Sequence, residues 1–330
     1  MIKKYTRIRI GSIATTALLT AMLAVIPAVF AADGYPSKPI RLLVPYGPTG
    51  VGGQTARIVA DKLSSTIGQK VEVENLATAG IPAVAERTLK APADGYTIFH
   101  GGIGVAINAS MVKGLSYNVL KDFTQLSTLA SYDLVVCANP ESPLNSLAQF
   151  LEAAKASPGK LKLGTVTVGS TQHLSAELFK SLTGIDITVV PHKGTPDLLT
   201  ALRSGAVDVA FELVPGIMPE IKSKAIKILA NAASKRYVGL PDTPTATELG
   251  MPSFQVTGWN AYSVKAGTPQ PIIDRLNKEI ATALKSPDVI QQMRAIGAEP
   301  WATSSEEAGQ VMTREMVRWK KVIDRANLSK

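Results

Sequence analysis

The sequence predicts an α/β protein of two lobes, joined by a two-strand hinge and closing like a clamshell on one ligand. Three observations carry that prediction. Strand and helix patterns alternate from Ile40 to about Ala230, as in an architecture built mostly on parallel strands. Two stretches share one construction, an apolar strand, a glycine-rich loop and a helical pattern: Arg41 to Arg57, and Lys162 to Phe179. After Asn231 the pattern changes, and roughly three hundred residues exceed what one compact core usually holds.

The first thirty-one residues read as an export signal. Lys3, Lys4, Arg7 and Arg9 precede an apolar run from Ile13 to Phe30, and Val29-Phe30-Ala31 offers small residues for cleavage before Ala32. Pro27 and that site favour cleavage over retention as a membrane anchor. Loss of the four basic residues lowers the net charge from +9 to +5. No Lys/Arg block is interleaved with aromatics, so nucleic-acid binding has no support. The modest basic excess suits anionic solutes and ordinary solubility equally.

Strands are expected over 40–44, 71–74, 97–99, 134–138, 161–165, 187–190, 207–211 and 226–230, with helices over 55–67, 147–156, 172–182 and 196–204. Ser157-Pro-Gly159, Thr183-Gly184 and Ser204-Gly205 mark turns between them. Leu240-Pro-Asp-Thr-Pro244 breaks regular structure, and 254–264 reads as extended chain. Three helices close the sequence, beginning near Pro269, Pro287 and Ser305, the last with a capping box at Ser304 and Glu307. This layout places residues 32–133 and 262–330 in one lobe and 134–261 in the other. Two crossings make a hinge, and both glycine loops follow strand ends, where ligands of open α/β sheets sit.

In each loop, glycines let the backbone approach a ligand, and the following helix presents unpaired N–H groups at its positive end. An anion would be gripped by backbone N–H and hydroxyl groups, without an obligatory arginine. The candidate ligand contacts are Tyr46, Gly47, Thr49, Gly50, Gly52, Gln54, Thr55 and Gly102 on one side. On the other they are Gly169, Ser170, Thr171, His173, Lys193 and Gly194. Lys193 follows a strand and is either a counter-charge for a carboxylate or a solvated rim residue.

Enzymatic readings fail on composition. Gly47 and Gly52 have P-loop spacing, but Gly53-Gln54 replaces the required Lys-Ser/Thr. His100-Gly-Gly-Ile-Gly104 has the look of an oxyanion-hole segment, yet no Gly-x-Ser-x-Gly elbow accompanies it. His100, His173 and His192 fall at strand ends near the expected cleft, but their spacing fits no metal motif. Cys137, the one cysteine, sits in an apolar run and reads as a core residue. Asp208 reads as a turn or hinge acceptor, and Trp259 as either packing or a cleft wall. No metal and no cofactor are expected.

Several segments together resemble one family. They are Tyr35-Pro-Ser-Lys-Pro-Ile-Arg-Leu-Leu-Val-Pro-Tyr46, Ala91-Pro-Ala-Asp-Gly-Tyr-Thr97, Pro158-Gly-Lys-Leu161, Gly169-Ser-Thr-Gln-His173 and Val190-Pro-His-Lys-Gly194. Ser204-Gly-Ala-Val-Asp-Val-Ala-Phe211, Leu240-Pro-Asp-Thr-Pro-Thr245 and Ala266-Gly-Thr-Pro269 complete the set. The chain resembles the Bug family of periplasmic solute-binding receptors of tripartite tricarboxylate transporters along essentially its whole mature length. The resemblance implies a type II-like periplasmic binding protein, a monomer, that binds a small organic carboxylate between two α/β domains, often with bridging waters. It would deliver the ligand to cognate membrane transporter subunits. An exported α/β enzyme acting on a small acid is the rival reading, and a sensory accessory presenting ligand to a membrane kinase shares the same fold. The family commonly carries Pro-Gly-Gly-x-Thr-Asp at the first loop, where this chain has Pro48-Thr-Gly-Val-Gly-Gly53. Glycine at 53 removes a negative group and an N-cap-like acceptor, which disfavours ligands with a cationic amino group. The loop Asn75-Leu-Ala-Thr-Ala-Gly80 is also less glycine-rich than the family pattern.

Overall fold

A computed structural model of the chain describes residues 34–329; the expected export signal over 1–31 lies outside them. Strand β1 (Ile40–Val44) lies between β2 (Val71–Asn75) and β3 (Thr97–Gly102), parallel to both. Its Ile40, Leu42, Leu43 and Val44 are wholly buried, as a strand covered on both faces requires. Strand β4 (Phe123–Ala138) is sixteen residues long and is shared by two half-sheets. Its first part, 123–133, pairs with β9 (Thr257–Lys265), which pairs in turn with β3. Its last part, 134–138, pairs with β7 (Val209–Leu213) and β8 (Lys227–Asn231). Beyond β7 lie β5 (Lys162–Thr165) and β6 (Thr188–Pro191), parallel to each other and to β7.

The half-sheets therefore repeat one plan. The first runs β2-β1-β3-β9-β4 and the second β6-β5-β7-β4-β8, with the fourth strand antiparallel to the third in both. The sheet is mixed rather than mostly parallel, because β4 and β9 run against the strands beside them. Only the last third of β4 is legible as a strand. Its earlier hydroxyl residues look like loop in sequence, but the fold satisfies them: Thr128 Oγ1 donates to Trp301 O at 2.6 Å and Ser127 Oγ to Thr303 O at 3.0 Å.

The two chain crossings lie side by side. Leu134 N–H donates to Val256 O at 3.4 Å, Val256 N–H to Ala232 O at 2.8 Å, and Asp133 stands opposite Thr257. Residues 257–261 thus pair within the first half-sheet.

The expected helices are present as α1 (Val51–Ile67), α5 (Leu147–Ala156), α6 (Thr171–Thr183) and α7 (Thr195–Arg203). Helices α2 (Gly80–Leu89) and α3 (Ile103–Met111), which the sequence reading did not pick out, follow β2 and β3. The short α4 (Val119–Asp122) and α8 (Met218–Lys222) serve as connections, and α9 (Gln270–Leu284) and α10 (Pro287–Ala295) pack near α1. The last helix, α11 (Ser305–Arg325), carries the expected capping box at Ser304 and Glu307. It packs on α3, β4 and α6, with Trp319 fully buried, so one apolar core runs through both half-sheets. Phe150, Phe179, Phe211 and Phe254 interlock within that core at ring separations of 4.9 to 5.9 Å.

Candidate ligand cleft

Strands β1, β3 and β5 all end at one cleft of about 610 Å³, and each leads into a helix whose first turn borders it. Those helices are α1, α3 and α6, with N-caps Gly50, Gly102 and Ser170. Three helix N-termini bring unpaired N–H groups and the positive ends of three dipoles to one place. None of the lining residues is Asp, Glu, Lys, Arg or His. Apolar side chains, among them Ile81, Ile103, Ile107 and Leu213, form much of the remaining wall. Such a surface fits a small anion with a hydrocarbon body.

The first loop works through its backbone. Gly50 caps α1 with no side-chain acceptor, and no acid stands in the first turn. The first helical bond is Gln54 N–H to Gly50 O at 2.9 Å, so the N–H groups of residues 51–53 have no acceptor within the helix. The glycine requirement differs from the one expected. Gly50 is in ordinary extended conformation (φ −75°), and a Cβ there would come no nearer than 3.8 Å to Gly47 O. At Gly52 a Cβ would fall 2.4 Å from the Tyr46 ring, and at Gly53 2.1 Å from Gly47 O. Close packing therefore demands glycine at 52 and 53, and the acid of the family pattern has no room at 53.

Behind this loop, Tyr46 meets His100 edge-on at 5.8 Å, and His100 meets Tyr262 at 5.6 Å. Burial pushes the Tyr46 hydroxyl up to about 12, so it stays a neutral donor. Burial also lowers His100 to about 3, and neither ring nitrogen has a hydrogen-bond partner among the described residues.

The second loop works through side chains. Gly169 has φ +85°, and a Cβ there would lie 2.9 Å from Met111 Cε of α3. Ser170 Oγ accepts the His173 N–H at 3.1 Å, capping α6. Gln172 Nε2 donates at 2.5 Å to Oε1 of Glu212, a β7 residue only 1% exposed. That carboxyl also accepts Leu213 N–H and Thr195 Oγ1–H, both at 2.8 Å. Burial raises its pKa, against the pull of these three donors.

Of the sequence-derived candidates, Tyr46, Gly47, Gly50, Gly52, Gly169, Ser170 and Thr171 line the cleft. The others stand elsewhere. Thr49 is exposed and accepts Gln54 Nε2 at 2.5 Å, and Gln54 borders a neighbouring groove with Arg57 and Asn75. Thr55 is buried, its hydroxyl donating to Val51 O at 2.8 Å, with Asn260 Oδ1 3.0 Å away. Gly102 lies against β9, where a Cβ would meet Trp259 O at 2.2 Å. His173 is buried in the first turn of α6, Lys193 is exposed, and Gly194 caps α7. His100 and His192 do not line the cleft either. Cys137 is fully buried in the core, and Asp208 accepts Lys162 N–H at 2.7 Å as a structural acceptor. Trp259 is 2% exposed and packs in the core.

Sequence reasoning missed Asn108, Gln172, Leu213, Asn260 and the isoleucines of α2 and α3. One signal was available: His100-Gly-Gly-Ile-Gly104 is a third strand–glycine–helix junction. Asn260 had none, since it reaches the cleft only through the pairing of β9 with β3.

The profile of the tripartite tricarboxylate transporter family receptor matches residues 55–328. The chain belongs to that family. It is 34% identical to Protein BugT of Bordetella pertussis over 300 residues, covering 90% of this chain and 92% of that one. Among solved structures it resembles the R. palustris protein Rpa4515 with adipate, at TM-score 0.77 and 32% identity, covering 89% and 99% of the two chains. It also resembles MatC from Rhodopseudomonas palustris with bound malate, at TM-score 0.73 and 29% identity, covering 88% and 100%. Members of this receptor family are periplasmic binding proteins rather than enzymes, and the two-lobed α/β fold expected from sequence is theirs. The rival enzymatic reading is thereby set aside.

Proposed function

We propose that this receptor captures a small organic carboxylate in the cleft and delivers it to the membrane subunits of a tripartite transporter. One observation carries the reading: three helix N-termini converge on a cavity lined by no charged side chain. Backbone dipoles favour an anion there by about 0.3–1 kcal/mol per helix end, and more where water is excluded. Adipate and malate, bound by the two R. palustris relatives, are acids of the same class.

The protein works in the periplasm after loss of residues 1–31, and binds as a monomer. The half-sheets act as the lobes, pivoting where residues 133–134 and 256–257 run side by side. Closure over the ligand is the functional event, with no chemistry performed.

Thermal unfolding across mono-, di- and tricarboxylates and aromatic acids tests this. A ligand at a hundred times its dissociation constant adds about 2.7 kcal/mol of stability. Shifts with amines or sugars, and none with any acid, would overturn the carboxylate reading.

A further inference from the structure

Two side-chain amides line the cleft from different helices, and both have their nitrogen ends committed to the protein. Gln172, in the first turn of α6, donates Nε2 to Glu212 Oε1. Asn108, on α3, donates Nδ2 to Gly104 O at 2.8 Å. Neither amide can be reversed. A backbone carbonyl only accepts. Glu212 Oε1 accepts Leu213 N–H as well as Gln172 Nε2–H, which marks it as the acceptor of that pair. The carbonyl oxygens, Gln172 Oε1 and Asn108 Oδ1, accept no hydrogen bond from any described residue. A third amide on the cleft, Asn260, has its Nδ2 3.4 Å from Gly101 O and its Oδ1 3.0 Å from the Thr55 hydroxyl.

The cleft therefore combines donors at three helix N-termini with two oriented acceptors. We infer that the receptor selects carboxylates that also carry a neutral hydrogen-bond donor, a hydroxyl or amide N–H, and that Gln172 and Asn108 read it. The inference rests on the carboxylate reading above. An acid with only methylenes or a second carboxylate opposite these oxygens leaves them without a donor. A site built to hydrogen-bond a group discriminates strongly against the analogue lacking it. An ammonium is a poorer match than a hydroxyl, because three positive helix ends border the cleft and none of its lining residues is an acid.

Titration calorimetry on the wild-type chain with matched pairs tests this: succinate against malate, glutarate against 2-hydroxyglutarate, propionate against lactate. The hydroxylated member of each binding pair is expected to bind about tenfold tighter, the worth of one or two good hydrogen bonds. Gln172→Met keeps the length of the side chain and removes the acceptor together with the donor to Glu212; Asn108→Leu likewise removes the acceptor together with the donor to Gly104 O. Each should bring the ratio within a pair toward one. Acids that bind without preference overturn this inference alone, as does an unchanged ratio in both variants. If no acid of either kind binds, the carboxylate reading falls with it.

Discussion

The two half-sheets share one strand order, yet the helices they aim at the cleft begin in opposite ways. Helix α1 starts on glycines, with no side-chain cap, and its loop is fixed by backbone packed against backbone and against Tyr46. Helix α6 starts on Ser170, Thr171 and Gln172, and its loop is fixed by a serine cap and a buried carboxylate. The first arrangement leaves N–H groups bare and has no room for a side chain at 52 or 53. The second covers one N–H and supplies polar side chains that can be exchanged. The first loop is thus suited to hold an anion through its backbone, and the second offers side chains that can tell anions apart.

The largest effect should come where the first loop is tightest. Gly53→Ala places a carbon against Gly47 O, a backbone atom that cannot swing aside. Overpacking of this kind costs about 1–3 kcal/mol, and the distorted loop should lose measurable ligand binding. Gly53→Asp, which restores the acid of the family pattern, should be no better. Gly50→Ala, three residues earlier, should leave melting temperature and affinity close to wild type. Equal behaviour at 50 and 53 would show that the loop is not held by this contact.

At the second loop the matching substitution is Gly169→Ala. Its positive φ costs roughly 1–2 kcal/mol for a residue with a side chain, and Met111 adds a steric part. Adding Met111→Ala should recover the steric part and leave the backbone part. Full recovery of melting temperature in the double variant would mean that φ strain contributes nothing.

A smaller pair of changes exchanges the two helix starts. Ser170→Ala removes the α6 cap and should cost about 0.5–2 kcal/mol of stability. Gly50→Ser enters an extended N-cap position with room for the side chain, so it should stabilise α1 by a few tenths of a kcal/mol. Its oxygen would then occupy an N–H that faces the cleft, and affinity should fall although the fold becomes firmer. A Gly50→Ser protein that binds as tightly as wild type would argue that α1 does not donate to the ligand.

How much of this was legible follows from distance along the chain. The strand–glycine–helix junctions at 41–57 and 162–179 are local, so periodicity and glycine placement were enough to find them. Gly53 appeared as a lost acid; only the folded loop, with Gly47 O beside it, shows why no acid fits. Gln172 reads as an ordinary helix residue until β7 brings Glu212 under it, forty residues later in sequence. Lys193 looked placed for a carboxylate because it follows a strand, but β6 is the outermost strand of its half-sheet and its end stands outside the cleft. The polar first part of β4 could not be read as strand, because its partners at Trp301 and Thr303 lie more than 170 residues away.

The smallest expected effect concerns what stands behind each loop. Tyr46 leans on His100, a neutral imidazole, whereas Gln172 leans on the carboxyl of Glu212. Burial lowers His100 from 6.5 to about 3. Between those values the unfolded chain binds a proton that the native state refuses, so stability rises with pH and is lost on acidification. Asp133 has the opposite sign. Burial lifts it from 3.8 to about 6, so the native state holds the extra proton and stability falls as pH rises through that window. Glu212, also raised by burial, acts in the same direction as Asp133. In wild type the imidazole opposes these carboxyls between roughly pH 4 and 6. His100→Phe keeps an aromatic ring between Tyr46 and Tyr262 and removes only the titration. The melting temperature of the variant relative to wild type should therefore rise steadily as pH is lowered from about 6.5 toward 4. The difference between the two curves isolates the imidazole, since every other titrating group is common to both. Parallel curves across that range would mean that His100 accepts a proton in the native state, and that the first loop is not backed by a neutral ring.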